Sequence, residues 1–412
     1  MSDNSTDADT APPPLPPGQI FLRFLRFGLL AWGGPVAQIA MLRRDLVDEE
    51  RWLPSGRFNR LLAIFQVLPG PEAHELCVHL GMMRGGRLGG LLAGLGFMLP
   101  GFVLMFLLSW LYFRVDLSQS ALGAVFLGVQ AGVIALIVRA VHRIGAHVLA
   151  DGWLWALAAA AAAASFIGAG FWIVLPAAGL LYALLHRKRY GLAALVALVA
   201  VGLAAVASPI AWPTLMAADG DAAAAVAAAP RTASAIALFL SGLKAGLLTF
   251  GGAYTVIPFL RNDAVAQGWM TDAQFLDGLA LGGVLPAPLI IFSTFVGYAA
   301  GGPIGAVAMT AGIFLPAFSF SLLFYNRLEA VVENKSLHAF LEGVAAGVVG
   351  LIAATTVELA AAVAGRLPAI LPGLLIFAGA LAVLYVWKSK LNIVLVVLGA
   401  GAAGWAAFGL GG

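Results

Sequence analysis

Leu68-Pro69-Gly70-Pro71-Glu72 and its echo Leu285-Pro286-Ala287-Pro288 each place two prolines inside an apolar run of helix length. Proline has no N–H and clashes with the carbonyl four residues back, so a helix entering either stretch must stop near Val67 or Val284. A new helix can start at the second proline, whose fixed φ suits a first turn. In lipid the backbone groups freed by such a break need partners, which only a protein-enclosed cavity or a neighbouring helix supplies. Two breaks at matching positions therefore point to a transport site.

The composition around these breaks belongs to a membrane. Of 412 residues, 61% are hydrophobic and only 10% charged, with a mean hydropathy of +0.96, against roughly 25% charged for soluble domains. Apolar runs recur at 20–42, 58–83, 88–112, 119–140, 152–168, 170–186, 191–211, 235–260, 274–299, 302–325, 337–363, 368–387 and 391–411. Each is long enough to cross a hydrocarbon core of about 30 Å. The expected fold is thus an all-α polytopic membrane protein with about 13 transmembrane segments. Residues 1–18 are acidic and then proline-rich, the mark of a disordered tail rather than a signal peptide. Cys77 is the single cysteine, which excludes an internal disulfide.

The halves repeat residue by residue. Gly28-Leu-Leu-Ala-Trp-Gly-Gly34 aligns with Gly246-Leu-Leu-Thr-Phe-Gly-Gly252, Arg43 and Asp45 with Arg261 and Asp263, and Trp52 with Trp269. Gly85-Gly86 aligns with Gly301-Gly302, Leu99-Pro100 with Leu315-Pro316, and Leu127-Gly128-Val129 with Glu342-Gly343-Val344. Seven runs separate equivalent elements, so the copies are expected to be inverted in the membrane, as six plus one linking run plus six. The expected divisions are a tail at 1–18, a first repeat at 19–190, a linking helix and loop at 191–234 and a second repeat at 235–412. With the N-terminus in the cytoplasm, 14 cations fall inside and 8 outside, the bias of cytoplasmic loops. Five of the outside eight belong to the Arg43–Arg60 segment.

The chemistry suits an anion. Helices starting at Pro71 and Pro288, and after Gly33-Gly34 and Gly251-Gly252, would offer first-turn N–H groups and a partial positive charge. Arg26 and Lys244 hold the same repeat position before their glycine breaks, and a cation inside a span is a functional candidate. Ser293 and Thr294 could donate hydrogen bonds. Glu72 lies in the first turn after Pro71 where its repeat partner is Leu289, so Glu72, with His74 and Glu75 on the same helix, forms the candidate proton-coupling set. The run His74-Glu75-Leu76-Cys77-Val78-His79 raises a metalloenzyme as a rival. Its histidines lie five apart, about 140° around a helix, where shared zinc binding needs four. No metal, cofactor, nucleotide loop or nucleic-acid site is expected.

The runs Trp32-Gly-Gly-Pro35, Leu68-Pro-Gly-Pro-Glu72, Phe250-Gly-Gly-Ala-Tyr-Thr-Val-Ile-Pro-Phe-Leu260 and Leu285-Pro-Ala-Pro-Leu-Ile-Ile-Phe-Ser-Thr-Phe-Val-Gly-Tyr298 resemble the long, two-domain members of the chromate transporter family. The likeness covers nearly the whole chain after the tail. It implies a secondary transporter exporting chromate across the bacterial inner membrane, with sulfate as a structural analogue. The membrane potential acting on a dianion suffices to drive such export, and the proton motive force could add to it. A passive oxyanion channel, or a carrier of another anion such as sulfate, fits the same residues, and a homodimer is an open partner state. Trp32 stands where the family pattern has phenylalanine, and His74-Glu75 where it has threonine and glutamine, departures that bear on anion preference and coupling.

Overall fold

The computed structural model describes residues 14–114, 123–207, 232–250, 253–324, 335–387, 389 and 391–409. Among these residues every regular element is helical. Among the described residues five helices are long and apolar enough to cross a bilayer: Glu72–Arg114, Gly123–Val148, Leu289–Leu323, Leu337–Ala364 and Asn392–Gly409. Shorter apolar helices fill much of the remainder. In chain order the first half holds α1 (Pro17–Leu29), α2 (Gly34–Leu42, continued as a π-helix to Glu49), α3 (Ser55–Val67) and α4 (Glu72–Arg114). Then come α5 (Gly123–Val148), α6 (Gly152–Phe166) and α7 (Phe171–His186). Helix α8 (Tyr190–Ala207) leads toward the second half. That half holds α9 (Ala235–Leu247), α10 (Ile257–Ala266), α11 (Asp272–Val284), α12 (Ser293–Phe324), α13 (Lys335–Ala364), α14 (Ile370–Val386) and α15 (Asn392–Gly404).

Helix α4 bends back on itself. Gly85 (φ −149°, ψ 23°) and Gly86 (φ 58°, ψ −159°) leave the helical region, and a side chain on Gly81 would collide with Gly89 and Ala93 across the turn. The positive φ and open ψ at Gly86 suit only glycine. Gly301 (φ −147°, ψ 16°) and Gly302 (φ 60°, ψ −151°) repeat this turn in α12 almost to the degree, with Gly297 against Gly305 and Met309. The aligned glycines of the two halves thus perform one local task.

The apolar runs at 20–42 and 58–83, expected from the sequence to be straight, each double back. Arg23 on α1 pairs with Glu50 at the far end of α2, and the Phe24 and Trp52 rings meet edge-to-face at 6.3 Å. The Arg84 guanidinium lies 4.4 Å over the Trp52 ring, and the Leu15 N–H donates to the Arg84 carbonyl at 2.9 Å. Both ends of α1–α2 and of α3 with the first arm of α4 therefore gather in one place, and Phe65 packs against His79 at 5.5 Å between the arms. A straight helix would hold Arg23 and Glu50 about 40 Å apart. The second half follows suit: Ser241 and Lys244 on α9 both reach Asp263 on α10, Gly278 on α11 faces Phe295 on α12, and Ala233 N–H donates to Ala300 at 2.9 Å.

The halves interlock. α13 packs on α6 and α7, while its counterpart α5 packs on α14 and α15. Glycine and alanine make these approaches close: Gly343 meets Ala178 and Gly179, Gly350 meets Ala158 and Ala161, and Gly128 meets Ala400 and Gly404. Small residues are how helices in lipid reach van der Waals contact without a hydrophobic driving force. The alanine run in α6 serves these approaches.

Gly28 and Gly246 hold equivalent approaches, α1 to α4 and α9 to α12: a Cβ there would sit 2.5 Å from the Phe97 carbonyl oxygen and 2.4 Å from that of Ile313. At Gly283 the nearest atom would be 3.5 Å away, an ordinary contact. Gly28→Ala and Gly246→Ala should each cost about 1–3 kcal/mol of stability, while Gly283→Ala should be near neutral. Thermal unfolding of the purified protein in detergent checks this order.

Candidate functional site

The proline stretches are the tips of hairpins. α3 ends at Val67 and α11 at Val284, one residue short of each Leu-Pro, where the missing amide ends the ladder. Pro71 closes its tip by accepting from His74 N–H (2.8 Å) and Glu75 N–H (3.1 Å), and Pro288 accepts from Ile291 N–H at 2.9 Å. Both prolines sit at the cap, outside the helix that follows. Pro288 caps a 3-10 turn, Leu289–Phe292, before α12 begins.

The tips meet across the halves. Gly70 N–H donates to the Thr249 carbonyl at 2.8 Å, joining the Pro-x-Pro tip of the first half to the glycine break of the second. Gly70 also faces Ala317, beside Pro316, while Ala287 of the other tip faces Gly101, beside Pro100. Each tip thus rests where a helix of the opposite half carries its own proline. At the remaining break of the first half, Gly33 and Gly34 adopt φ of +88° and +78° and α2 starts. Gly251 and Gly252 lie outside the described residues.

A cavity of about 550 Å³ runs in beside the first tip, lined by Arg43, Gln66, Glu72, Arg143, His147 and apolar side chains of α2, α3 and α5. Glu72, in the first turn of α4, is nearly buried, and Arg143 lies within electrostatic range of it and of Tyr254. Arg43 donates to Ser55 Oγ at 2.9 Å. Among the described residues no carboxylate forms an ion pair with Arg43 or Arg143. A second cavity of about 370 Å³ between α6, α7 and α8 is lined by Ala, Val, Leu and Ile and offers a charged ligand nothing.

The other sequence candidates separate. Arg26 is exposed on α1 rather than turned into the protein. Lys244 forms an ion pair with buried Asp263, lies 5.3 Å over the Phe171 ring, and leaves no free charge for a ligand. Arg26 and Lys244 are therefore not a matched pair. His74 Nε2 donates to the Gly94 carbonyl (3.2 Å), and the ring is wedged among Phe97, Phe314 and Phe318, a packing role. Thr294 bonds Thr310 at 2.8 Å across the α12 turn. Ser293 and Glu75 are fully buried with side-chain oxygens that have no hydrogen-bond partner among the described residues, and Glu75 lies directly under Gly70, where any Cβ would strike its carboxylate. No cluster of three His, Cys, Asp or Glu able to hold a metal occurs among the described residues.

Sequence reasoning counted Arg43 and Arg143 only as loop cations and placed them on opposite sides of the membrane, and it did not weigh Gln66 or His147. The legible signal was in the repeat register: extending the Gly128–Gly343 alignment sets Arg143 opposite Glu358, a reversal of charge.

A profile of the chromate transporter family matches residues 18–218 and 236–405. A chromate transport protein of Pseudomonas aeruginosa is 67% identical over 98% of this chain and 96% of its own length. A chromate transport protein of Cupriavidus metallidurans is 30% identical over 95% and 93%, and a probable chromate transport protein of Synechococcus elongatus is 29% identical over 94% of each. No solved structure matches.

The Lys244–Asp263 pair holds α9 against α10. Lys244→Gln should cost roughly 3 kcal/mol or more, because it leaves a buried carboxylate without its cation. Adding Asp263→Asn should recover over half of the loss. A double-mutant cycle on thermal stability checks this, and simple additivity of the two changes would contradict it.

Proposed function

Because this chain belongs to the chromate transporter family, and is on that ground a transport protein rather than an enzyme, we propose that it exports chromate from a bacterial cytoplasm as a secondary transporter. The observation that carries this reading is the meeting of hairpin tips from both halves beside a cavity lined by arginines. Irregular backbone beside a cavity that carries charged side chains is the usual setting of a transported ion.

The doubling-back of the hairpins supports a revised topology of nine crossings and four re-entrant hairpins. Five crossings then separate the two sets of hairpins, an odd number, which in this topology inverts one half relative to the other. With the N-terminus in the cytoplasm, fifteen of the nineteen described Lys and Arg residues fall on that side, leaving Arg114, Lys244, Arg261 and Arg366 on the other. The bias is far steeper than straight crossings allowed, because the Arg43–Arg60 segment returns to the N-terminal side. Side-chain bonds agree with these levels: Tyr112 and Gln130 meet Asp277 near one face, and His142 meets Tyr385 near the other.

A dianion leaving a cell at about −100 mV releases about 4.6 kcal/mol, enough for a gradient on the order of a thousandfold. Proton coupling is a further element of the proposal and rests on Glu72 and Glu75. They are three residues apart on one helix face; Glu72 borders the cavity near Arg143, Arg43 and His147, and Glu75 lies deeper, flanked on its own helix by His74 and His79. A carboxyl without partners in a membrane interior is tolerated when it carries its proton. His74 drops out of the coupling set by its packing. Sulfate, as the structural analogue, is the expected competitor.

Everted vesicles should accumulate radiolabelled chromate against its gradient, and sulfate should compete. Equilibration without accumulation would indicate a channel. Glu72→Gln should transport with a flattened pH profile, since the amide keeps the shape and cannot titrate; an unaltered profile would leave Glu72 a helix cap. Pro71→Ala should lower flux severalfold at equal protein level by loosening the tip, and normal flux would remove the tip from the mechanism.

A further inference from the structure

The most informative comparison in the molecule is between the first-half cavity and the equivalent place in the second half. The repeat register sets Arg43 on Arg261, Ser55 on Asp272, Arg143 on Glu358 and Glu72 on Leu289. In the second half the arginine is fully engaged: Arg261 Nε donates to Asp272 Oδ1 at 2.7 Å, Nη2 reaches Oδ2 at 3.3 Å, and Nη1 binds Glu358. That network ties α10 to α11 and α13. In the first half both carboxylates are gone. A hydroxyl, Ser55 Oγ, replaces one, a second arginine replaces the other, and a cavity of about 550 Å³ lies between the side chains.

Building on the reading of the chain as an oxyanion transporter, we infer that the two halves do not share the work of binding: a tetrahedral oxyanion is bound by Arg43 and Arg143 in the first half, while the second half's site is permanently filled by Asp272 and Glu358. The carboxylates on Arg261 show what an anion does at this position, since guanidinium forks donate to carboxylates and tetrahedral oxyanions through the same paired N–H groups. Ser55 accepts from Arg43 and leaves its remaining donors to the cavity. Two guanidinium charges match a dianion, and His147, one turn beyond Arg143 on the same face of α5, lines the same wall. Glu72 lies at the inner end of this cavity and is the one carboxylate among its lining residues.

The test measures binding rather than flux, using the full chain purified in maltoside detergent, with radiolabelled sulfate and chromate as probes and monodispersity and melting checked for each variant. Saturable binding to the unaltered protein is expected. Arg43→Gln and Arg143→Gln should each weaken it at least tenfold, the loss of one charge-assisted contact. Ser55→Asp should do the same with the cavity intact, because it rebuilds on Arg43 the pairing that Arg261 has. Glu358→Gln and Asp272→Asn should leave affinity within about twofold. If the unaltered protein binds neither probe, the transport reading itself falls. If it binds and the Arg43, Arg143 and Ser55 variants bind equally well, the one-sided site is wrong and the transport reading stands. A repeat in nanodiscs with and without phosphatidylglycerol separates the two sources of this chemistry: if the anionic lipid abolishes probe binding, the arginines hold a lipid phosphate and the inference is overturned.

Discussion

Backbone polarity in a medium without water is the constraint from which the rest of this structure follows. Proline removes an amide donor at four positions in the two tips, and the groups left over cannot be handed to solvent at membrane depth. The solution is contact between halves: the Gly70 N–H goes to the Thr249 carbonyl, and each Pro-x-Pro tip is pressed against the proline-bearing stretch of a long helix from the other half. Neither tip is complete alone, which explains why the two copies are fused so closely in space.

The same dependence recurs in the outer helices. α5 and α13 leave their own halves to pack among the last two helices of the other, through glycine and alanine contacts that bring backbones within touching distance. Such contacts gain little individually and rely on shape. Polar groups add register where they occur. Asp277 gathers Tyr112 and Gln130 from α4 and α5, and Asp151 caps α6 while accepting from Tyr182 on α7.

Against that symmetry the charges stand out. Under the proposed inverted topology equivalent residues lie on opposite faces of the membrane, and Arg143 against Glu358, Arg60 against Asp277 and Asp151 against Arg366 change sign between the copies. A repeated backbone thus carries two electrostatic environments. One is closed on itself by the Arg261 network, and the other keeps two arginines at a cavity.

Much of this was legible in the sequence because it follows from local chemistry. Two prolines separated by one residue remove two amides and end a helix, so stops near Val67 and Val284 were readable. The aligned motifs, the glycine pairs among them, announced a repeat and a family. What the sequence could not disclose is direction after a break. Leu68–Glu72 is equally compatible with a kink in a crossing helix and with the tip of a hairpin, and only the meeting of Trp52, Phe24 and Arg84 decides for the hairpin. That choice moves the Arg43–Arg60 segment to the other end of the molecule and brings Arg43 to Arg143, 100 residues away in the chain. It also commits Lys244 to Asp263 and His74 to three phenylalanines. Whether a charge in a span is free or paired depends on neighbours that sequence spacing does not fix, and here the tertiary structure assigned them.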